Sequence, residues 1–366
     1  MATYRFDEIA INSTKKKKPT EEDKAHYIGL EHIDPGCFNI VRWGSDVVPT
    51  GDKLLMQKGD VLFGKRRAYQ RKVGIAPFDG IFSAHGMVLR PNTKIIDTNY
   101  FPFFISSDRF METAVRISVG GLSPTINWKD LAKQEFDLPS LEEQKVLAEK
   151  LWVAYRLKEG YKKLLCVTDE MVKSQFIEMF GNPVTNTKSW STAKIKDVAP
   201  EVPSKQQLSG KVWLLNLDMI ESNTGHVIEK VYEDVENALS VQAFDEGNVL
   251  FSKLRPYLNK VIIPDDSGLA TTELVPLRPE QSKLHKVFLS HLLRGDQFVN
   301  YANDIAGGTK MPRMPLSELR NFKCILPPID KQLQFVAIAE QADKSKFELK
   351  QCIENIDKVI KSLING

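Results

Sequence analysis

Cysteine is scarce in this chain of 366 residues, and long apolar runs are absent. The four cysteines, Cys37, Cys166, Cys324 and Cys352, lie far apart, without the close pairs of a zinc site or a compact disulfide framework. No stretch approaches the roughly 18 to 20 consecutive apolar residues of a membrane span, and the first residues carry no signal-peptide core. We therefore expect a soluble protein of the reducing cytoplasm.

The chain also lacks a large net charge. Lys and Arg number 50 against 47 Asp and Glu, which leaves a formal charge of +3. This balance does not identify a nucleic-acid-binding protein, so any signal for DNA must be local. The length and the hydrophobic content of 42% are sufficient for two domains, each with its own buried core.

Motifs for nucleotide hydrolysis and base methylation are missing as well. There is no G-x-x-x-x-G-K-[ST] phosphate loop, and GGTK at Gly307 supplies only a fragment of one. The sequence has no N-P-P-Y or D-P-P-Y tetrapeptide to hold a target amino group and no glycine-rich methyl-donor loop, and NPVT at Asn182 is interpreted as a helix stop. We expect no catalytic residues, no bound cofactor and no metal site in this chain.

What the sequence contains is an internal repeat. An offset of 188 aligns GDVLFGKRRAY at Gly59 with GNVLFSKLRPY at Gly247, and the match continues without a gap to Gln144 and Gln332. Upstream, YIGLEHID at Tyr27 resembles WLLNLDMIE at an offset of 187. The duplication therefore spans nearly the whole chain.

Each half has a strand-rich part followed by a long helix. Short apolar runs punctuated by Gly, Pro and Asn fill residues 1–139 and 182–326, whereas residues 140–181 and 327–366 are dense in Glu, Lys, Leu and Ala. These patterns predict an α+β fold of two tandem mixed α/β domains, separated and followed by long helices, with a pseudo-twofold internal repeat.

Both helices carry a mostly apolar seam at three- and four-residue steps. In the first helix the seam consists of Leu147, Leu151, Ala154, Leu157, Tyr161, Leu164, Thr168, Met171, Gln175 and Met179. In the second it consists of Leu349, Ile353, Ile356, Ile360 and Leu363. A single seam is usually an ordinary core face, but two equivalent seams favour pairing of the helices as an antiparallel coiled coil.

The junctions between domains and helices, LPSLEEQ from Leu138 and LPPIDKQ from Leu326, resemble the junction motif of specificity subunits from type I restriction-modification systems. That family also has a G-x-(V/I)-L-F strand followed by basic residues, a glycine-containing loop before the junction, and alternating target-recognition domains and spacer helices. All these features occur here in that order. The second junction departs from the pattern, because Asp330-Lys331 replaces an acidic pair, which puts the capping of that helix in question.

The resemblance implies that the two target-recognition domains each read one half of a split, asymmetric sequence in double-stranded DNA. The two helices would be spacers that set the distance between the domains and dock two DNA methyltransferase (modification) subunits, which restriction/translocase subunits then join. S-adenosylmethionine, ATP and Mg would be bound by those partner subunits.

Two other functions compete with this interpretation, an orphan sequence-specific DNA-binding regulator and a stand-alone nuclease. For a nuclease, Asp265, Asp266 and Glu273 form a conceivable metal cluster. Their repeat equivalents Pro77, Phe78 and His85 include no acid, and a surface turn explains Asp265-Asp266 better.

Two basic segments are the candidate DNA contacts. KRRAYQRK (residues 65–72) has five positive side chains, one tyrosine and no acid, and KLRPYLNK (residues 253–260) keeps part of that pattern. Shared positions predict phosphate contact, while positions that differ, such as Arg66 and Arg71, read bases or reflect surface drift. The alternative is a charged strand end that keeps a sheet edge soluble. The candidates are Lys65, Arg66, Arg67, Tyr69, Arg71, Lys72, Lys253, Arg255, Tyr257 and Lys260.

Two glycine-containing loops, ISVGGLSPTIN from Ile117 and IAGGTKMPRM from Ile305, add Lys310 and Arg313 to these candidates. Their backbone amides can approach a phosphate, or Gly120 and Gly308 can simply permit positive φ in a turn, which we favour. The run from Lys15 to Lys18 is followed by three acids and is interpreted as a solvated loop. His85 is interpreted as structural or as a minor DNA contact.

Overall fold

The computed structural model describes residues 1–206, 208–234 and 241–365, which divide into two compact units. Unit 1 comprises Met1–Lys162 and Lys350–Gly366, and unit 2 comprises Lys163–Leu349. Each unit therefore contains one of the repeated domains together with part of each long helix. No helix within these described ranges is long and apolar enough to cross a membrane.

Unit 1 is built on two four-stranded sheets and a separate strand pair. Its strands are β1 (Ala2–Arg5), β2 (Ala10–Ser13), β3 (Lys16–Lys17), β4 (Tyr27–Ile28), β5 (Lys53–Met56), β6 (Val61–Phe63), β7 (Val73–Ile75), β8 (Gly80–Phe82), β9 (Met87–Pro91) and β10 (Glu135–Leu138). Its short helices are α1 (Phe6–Ile9), α2 (Phe101–Ser106), α3 (Asp108–Arg116) and α4 (Trp128–Leu131). The sheets have the orders β2-β9-β6-β7 and β3-β5-β8-β4, and β1 pairs with β10.

Unit 2 repeats the central part of this topology. Its strands are β11 (Thr192–Lys194), β12 (Lys211–Leu215), β13 (Val231–Asp234), β14 (Val241–Phe244), β15 (Val249–Ser252), β16 (Val261–Ile262), β17 (Gly268–Thr271), β18 (Leu274–Leu277) and β19 (Lys323–Ile325). Its short helices are α6 (Ile195–Val198), α7 (Lys286–Arg294), α8 (Asp296–Asp304) and α9 (Leu316–Asn321). The order β16-β15-β18 matches β7-β6-β9, and β14-β17-β12 matches β5-β8-β4, including the one parallel pair in each.

Aromatic packing fixes the strand that carries the first basic segment. Phe63 at the end of β6 is fully buried, and its ring lies 5.5 Å from that of Phe110 on α3. Phe110 also contacts Phe6 at 5.2 Å and Phe136 at 5.6 Å between ring centroids. Tilted and offset rings at such distances are favourable beyond the area that they bury. The start of the basic segment is therefore anchored in the core of unit 1.

The two long helices are α5 (Leu141–Phe180) and α10 (Ile329–Asn365). Ser140 and Glu143 cap α5 reciprocally: the N–H of Glu143 donates to Ser140 Oγ at 3.3 Å, and the N–H of Ser140 donates to Glu143 Oε2 at 2.8 Å. α10 begins directly after Pro328 with Asp330-Lys331 in place of the acidic pair, so the helix forms in spite of the departure in its junction motif. Proline before the first turn loses no helical hydrogen bond.

The repeated glutamine of the first junction fastens α5 to its own domain. Gln144 is fully buried. Its amide donates to the carbonyl oxygens of Ile95 at 3.0 Å and Pro139 at 2.9 Å, and its oxygen accepts from the N–H of Asp97 at 2.8 Å. A buried amide whose donors and acceptor are all satisfied is a specific connection between elements.

Gln332, the equivalent residue at the start of α10, is also fully buried and forms the same three bonds. Its partners lie at the equivalent positions and are Lys283, Pro327 and His285, at 2.9, 2.8 and 2.9 Å. The junction motif therefore has the same mechanical role in both units.

The two long helices pair antiparallel, although the buried face differs from the predicted seam. The first part of α5 packs beside the last part of α10 in unit 1, and the second part of α5 packs beside the first part of α10 in unit 2. Leu151 of the seam is buried, but Leu157, Leu164 and Met171 are 45–49% exposed. Each helix packs on its own domain as well as on its partner, and the predicted seam is only partly buried.

Candidate nucleic-acid interface

The two basic segments connect equivalent strands and share an uncommon backbone conformation. Residues 65–72 join β6 to β7, and residues 253–260 join β15 to β16. Each contains one turn of 3-10 helix, flanked on both sides by residues with left-handed φ. These residues are Arg67 (55°), Arg71 (52°), Arg255 (49°) and Asn259 (47°). Positive φ is uncommon outside glycine, so its recurrence at two equivalent pairs of residues indicates that both units use the same loop conformation.

The glycine-containing loops form short hairpins. In hairpin 1 (residues 119–125), Val119 and Thr125 exchange backbone hydrogen bonds of 3.1 and 2.9 Å, and in hairpin 2 (residues 307–313) Gly307 and Arg313 do the same. Gly120 and Gly308 have φ of 113° and 102°. The interpretation of these two glycines as turn residues with positive φ is confirmed.

Each hairpin is bonded to the basic segment of its own unit. The N–H of Arg67 donates to Pro124 O at 2.7 Å, and the N–H of Ile126 donates to Lys65 O at 3.0 Å. In unit 2 the equivalent bonds run from Arg255 to Pro312 at 2.7 Å and from Met314 to Lys253 at 2.9 Å. Two motifs whose nearest residues are 47 positions apart in sequence are therefore joined by backbone hydrogen bonds in each unit.

Lys72 and Lys260, predicted as shared phosphate contacts, direct their ammonium groups into the protein. Lys72 Nζ donates to Leu30 O, and Lys260 Nζ donates to Leu217 O, both at 2.6 Å. Both side chains are half-buried, and burial lowers the pKa of Lys260. The two lysines hold the end of each basic segment against the neighbouring loop, which explains their presence in both halves of the sequence.

Arg71 and Asn259 differ in charge and make the same connection. Arg71 Nη2 donates to Ser106 O at 2.9 Å, and Asn259 Nδ2 donates to Arg294 O, the equivalent carbonyl, at 2.9 Å. Arg71 also pairs with Asp108 at 2.7 Å. The difference between these two positions thus preserves a structural contact.

Several cations lie on the surface of unit 1 that residues 65–72, hairpin 1 and His85 form, which we call its outer face. Arg66 lies 3.4 Å from His85, and Tyr69 is 54% exposed. Burial and the ammonium of Lys16 lower the pKa of Lys65. Burial followed by Arg66, Lys65 and Lys53 lowers the pKa of His85. The cations around Lys65 and His85 thus repel additional positive charge, as expected for a surface that attracts phosphate.

The lysines from Lys15 to Lys18 are exposed, as the interpretation of a solvated segment requires, but two of them form a short edge strand and not a loop. Lys16 and Lys17 form β3 at the edge of a sheet and pair with β5. Lys17 is bound by Asp23 at 2.9 Å, whereas Lys16 lies close enough to Lys65 to lower its pKa. Pairing with β5, which is 36 residues away along the chain, fixes the position of this lysine strand.

The outer face of unit 2 is less positive. Arg313 is exposed and binds Glu273 with two nitrogens, at 2.9 and 3.1 Å, and Glu273 occupies the position of His85 in the repeat. Tyr257 is 49% exposed, Lys310 is exposed, and Lys253 and Arg255 are half-buried. The two surfaces therefore share a backbone and differ in charge and side chains. The sequence repeat placed Glu273 opposite His85, but spacing alone gave no sign of its pairing with Arg313.

Two of the three acidic residues considered for a nuclease centre form ion pairs, and Asp266 accepts a hydrogen bond from the N–H of Ser267. Asp265 pairs with Lys230 at 2.7 Å, and Glu273 holds Arg313. Over residues 1–206, 208–234 and 241–365 there is no group of three or more His, Cys, Asp or Glu side chains placed to hold a metal ion.

The structure thus consists of two tandem domains with equivalent loops, each attached to the paired long helices. The family model described as "Type I restriction modification DNA specificity domain" matches residues 2–164 and 187–358, and the chain belongs to this family. The chain is thus a specificity subunit, the non-catalytic DNA-recognition component of a type I restriction-modification enzyme.

Curated relatives agree with this assignment along most of the chain. The type I restriction enzyme EcoDI specificity subunit of Escherichia coli is 23% identical over 344 residues, which cover 82% of this chain and 72% of that protein. The MjaVIII specificity subunit of Methanocaldococcus jannaschii is 22% identical, with coverage of 97% and 89%.

Solved structures support the fold. A chain from a study of complex assembly and conformational transition of the type I R-M system has a TM-score of 0.57 at 17% identity, covering 99% of this chain and 96% of that one. The type I restriction-modification S subunit from M. genitalium has a TM-score of 0.56 at 14% identity, covering 99% and 95%.

Proposed function

We propose that each unit binds one half of an interrupted DNA target through its basic segment and hairpin, and that the target is asymmetric. The observation that carries this proposal is the combination of an equivalent backbone with different side chains at the same positions of the two units. Arg67 and Arg255 have the same left-handed conformation and the same bond to a hairpin proline. The repeat, however, places Leu254, Glu273 and Arg313 in unit 2 at the positions that Arg66, His85 and Thr125 occupy in unit 1. Shared contacts would position each unit on phosphates, and the differing ones would select bases.

The helices offer faces for partner subunits, which we propose to be two DNA methyltransferase subunits. In unit 1 an apolar groove of about 640 Å³ is lined by Val153, Ala154, Leu157, Ile356, Val359 and Leu363. In unit 2 the helices expose Leu164, Val167, Met171, Leu333 and Phe347. Concentrations of exposed apolar side chains on a soluble surface are typical of protein interfaces. Restriction subunits would join this core, and the partners would supply S-adenosylmethionine, ATP and Mg.

The assignment of roles is tested by purifying the chain alone and together with the methyltransferase encoded beside it. Sequence-dependent methylation is expected from the mixture and from neither component alone. Metal-dependent cleavage of DNA by the lone chain would contradict the proposal. So would specific methylation by the methyltransferase without this chain.

Mapping the methylated bases of the host genome tests the division of labour between the units. Two units with different outer faces predict two different half-sites separated by unspecified base pairs. A continuous target, or an interrupted target with two identical half-sites in inverted order, would contradict the model.

A further inference from the structure

The tip of hairpin 1 carries a fully solvent-exposed apolar side chain. Leu122 is 96% exposed, as much as the terminal Met1. Gly120 and Gly121 precede it, and a Cβ at Gly121 would meet nothing within 4 Å. Leu122 is therefore a large side chain on a narrow tip, because the two residues before it are glycines without side chains.

The tip is fixed in place. The hairpin is closed by two bonds between Val119 and Thr125 and tied to the basic segment through Pro124 and Ile126. The guanidinium of Arg67 donates to Ser123 Oγ, the residue next to Leu122, at 3.1 and 3.2 Å. An exposed leucine on a flexible loop can fold back against the protein. Leu122 instead lies on a hydrogen-bonded hairpin, in solvent and next to the residue that binds Arg67.

The equivalent tip in unit 2 has a cation at the position of the leucine. Lys310 occupies the position of Leu122 and is followed by Met311, which is 45% exposed. A lysine at this point gains energy from phosphates of any sequence, whereas a leucine gains nothing from a phosphate. An apolar group gains affinity for DNA only where it displaces water from base surfaces, such as a thymine methyl group or an opened base step.

We propose that Leu122 is a specificity-determining residue of unit 1, which enters a groove of duplex DNA and packs against the bases of one half-site. The cations around it, Arg66 and Arg67, would hold the backbone on either side of the insertion. This inference rests on the proposed function, because it requires the surface formed by residues 65–72 and hairpin 1 to face DNA.

The test uses the chain assembled with its methyltransferase and labelled duplexes that carry the mapped target. One duplex is intact, and in two others one half-site is scrambled. Leu122→Ala is expected to weaken binding to the intact target roughly tenfold and to have no effect once one particular half-site is scrambled. The salt dependence of binding should stay as in the wild type, because no phosphate contact is lost.

Two variants provide the comparison. Lys310→Ala, at the equivalent tip, should weaken binding to all three duplexes by a similar factor and reduce the salt slope by about one. Ile11→Ala removes another exposed apolar side chain, on β2, and should change nothing. Thermal unfolding should be unchanged in Leu122→Ala, which separates a DNA effect from misfolding.

The form of the contact is read from modified duplexes. For a methyl contact, replacing one thymine by uracil weakens wild-type binding and leaves Leu122→Ala unaffected. For an opened base step, 2-aminopurine at that step becomes fluorescent with the wild type only. Either result supports the inference.

Two outcomes would overturn it: Leu122→Ala binding all duplexes like the wild type, or losing the same factor on every duplex. Failure of the wild type to distinguish the intact from the scrambled target would instead refute the proposed function itself.

Discussion

Lys158 donates from its ammonium to Asp357 Oδ1 at 2.5 Å in unit 1. The repeat offset of 188 carries this pair onto Lys346 and Asp169 in unit 2, where the distance is 2.8 Å. The lysine side chains are only 11% and 8% exposed, whereas the aspartates are about half exposed. A second pair, Lys361 with Asp108 at 3.2 Å, recurs in the same way as Lys173 with Asp296 at 3.7 Å. The ion pairs that attach the long helices therefore recur in both halves of the chain, as the domains do.

Removing the aspartate of each lysine pair should have unequal effects. Asp357→Asn leaves the buried Lys158 without a carboxylate partner among the described residues, whereas after Asp169→Asn the ammonium of Lys346 keeps Asp343 at 2.7 Å. We expect a loss of about 2 kcal/mol in the free energy of unfolding for Asp357→Asn and less than about 1 kcal/mol for Asp169→Asn. Denaturant titration of both variants measures this, and equal losses would show that Asp343 does not compensate for the missing aspartate of Lys346.

The junction glutamines should be intolerant of apolar replacement. Gln144→Leu keeps a similar side-chain volume. It leaves the carbonyls of Ile95 and Pro139 and the N–H of Asp97 without their hydrogen-bond partner at a buried site. Since an unsatisfied buried group costs about 1–3 kcal/mol, we expect a loss of about 3 kcal/mol or more in unfolding free energy. Gln332→Leu should behave alike, and the exposed Gln341→Leu on α10 is the control. A midpoint of thermal unfolding as high in Gln144→Leu as in Gln341→Leu would be inconsistent with this role.

Cations of the basic segment should separate into two groups when DNA binding is measured against salt. Arg66→Ala removes a charge from the outer face and should reduce the slope of log K against log salt by about 0.9. Lys72→Met removes an ammonium that is bound to Leu30 O, so it should lower thermal stability and leave the slope unchanged. Fluorescence anisotropy from 50 to 200 mM salt makes the comparison. A fall of the slope in Lys72→Met would place that ammonium on DNA after all.

Unit 2 should lose stability in mild acid because of His291. Burial, and then Arg294, lower the pKa of His291 to about 3, while the ring packs on Phe335 with centroids 5.1 Å apart. The unfolded chain binds a proton at this residue near pH 6.5, so below that pH the unfolded state holds more protons than the folded one. The stability from a neutral His291 is thus complete above pH 6.5 and declines as the pH falls toward 3.

The expected decline at His291 is about 2 kcal/mol between pH 7 and pH 5. His291→Phe installs the residue that unit 1 carries at the equivalent position, Phe103, and should remove this part of the pH dependence. Denaturant unfolding of both proteins at the two pH values gives the difference. An identical pH dependence in wild type and variant would mean that His291 is protonated in the folded state or is not the responsible group.

Most of the architecture was accessible from the sequence because it depends on local patterns and on the repeat. The helices Leu141–Phe180 and Ile329–Asn365 lie within the predicted limits of 140–181 and 327–366, since long Glu-, Lys- and Leu-rich segments have no competing structure. The turn role of Gly120 and Gly308 followed from glycine before a polar segment. Equivalent strand orders in the two units followed from the duplication.

Long-range contacts account for what the sequence did not give. Lys72 is bound 42 residues away at Leu30, so its recurrence in the repeat was interpreted as DNA contact when it supports a loop. Glu273 reaches Arg313 across 40 residues. The apolar seam of α5 was assigned to helix pairing, but the domain competes for the same helix, leaving Leu157 and Met171 exposed. Periodicity identifies an apolar face without identifying what packs on it.

The two junction glutamines have a consequence for which domains the long helices can carry. Gln144 and Gln332 hold their helices through bonds to the backbone of positions 95, 97 and 139 and of their equivalents, so the attachment is indifferent to which side chains those positions carry. A different domain that presents the same three backbone groups could therefore be joined to the same helix through this glutamine, although the ion pairs Lys361–Asp108 and Lys173–Asp296 would still depend on its side chains.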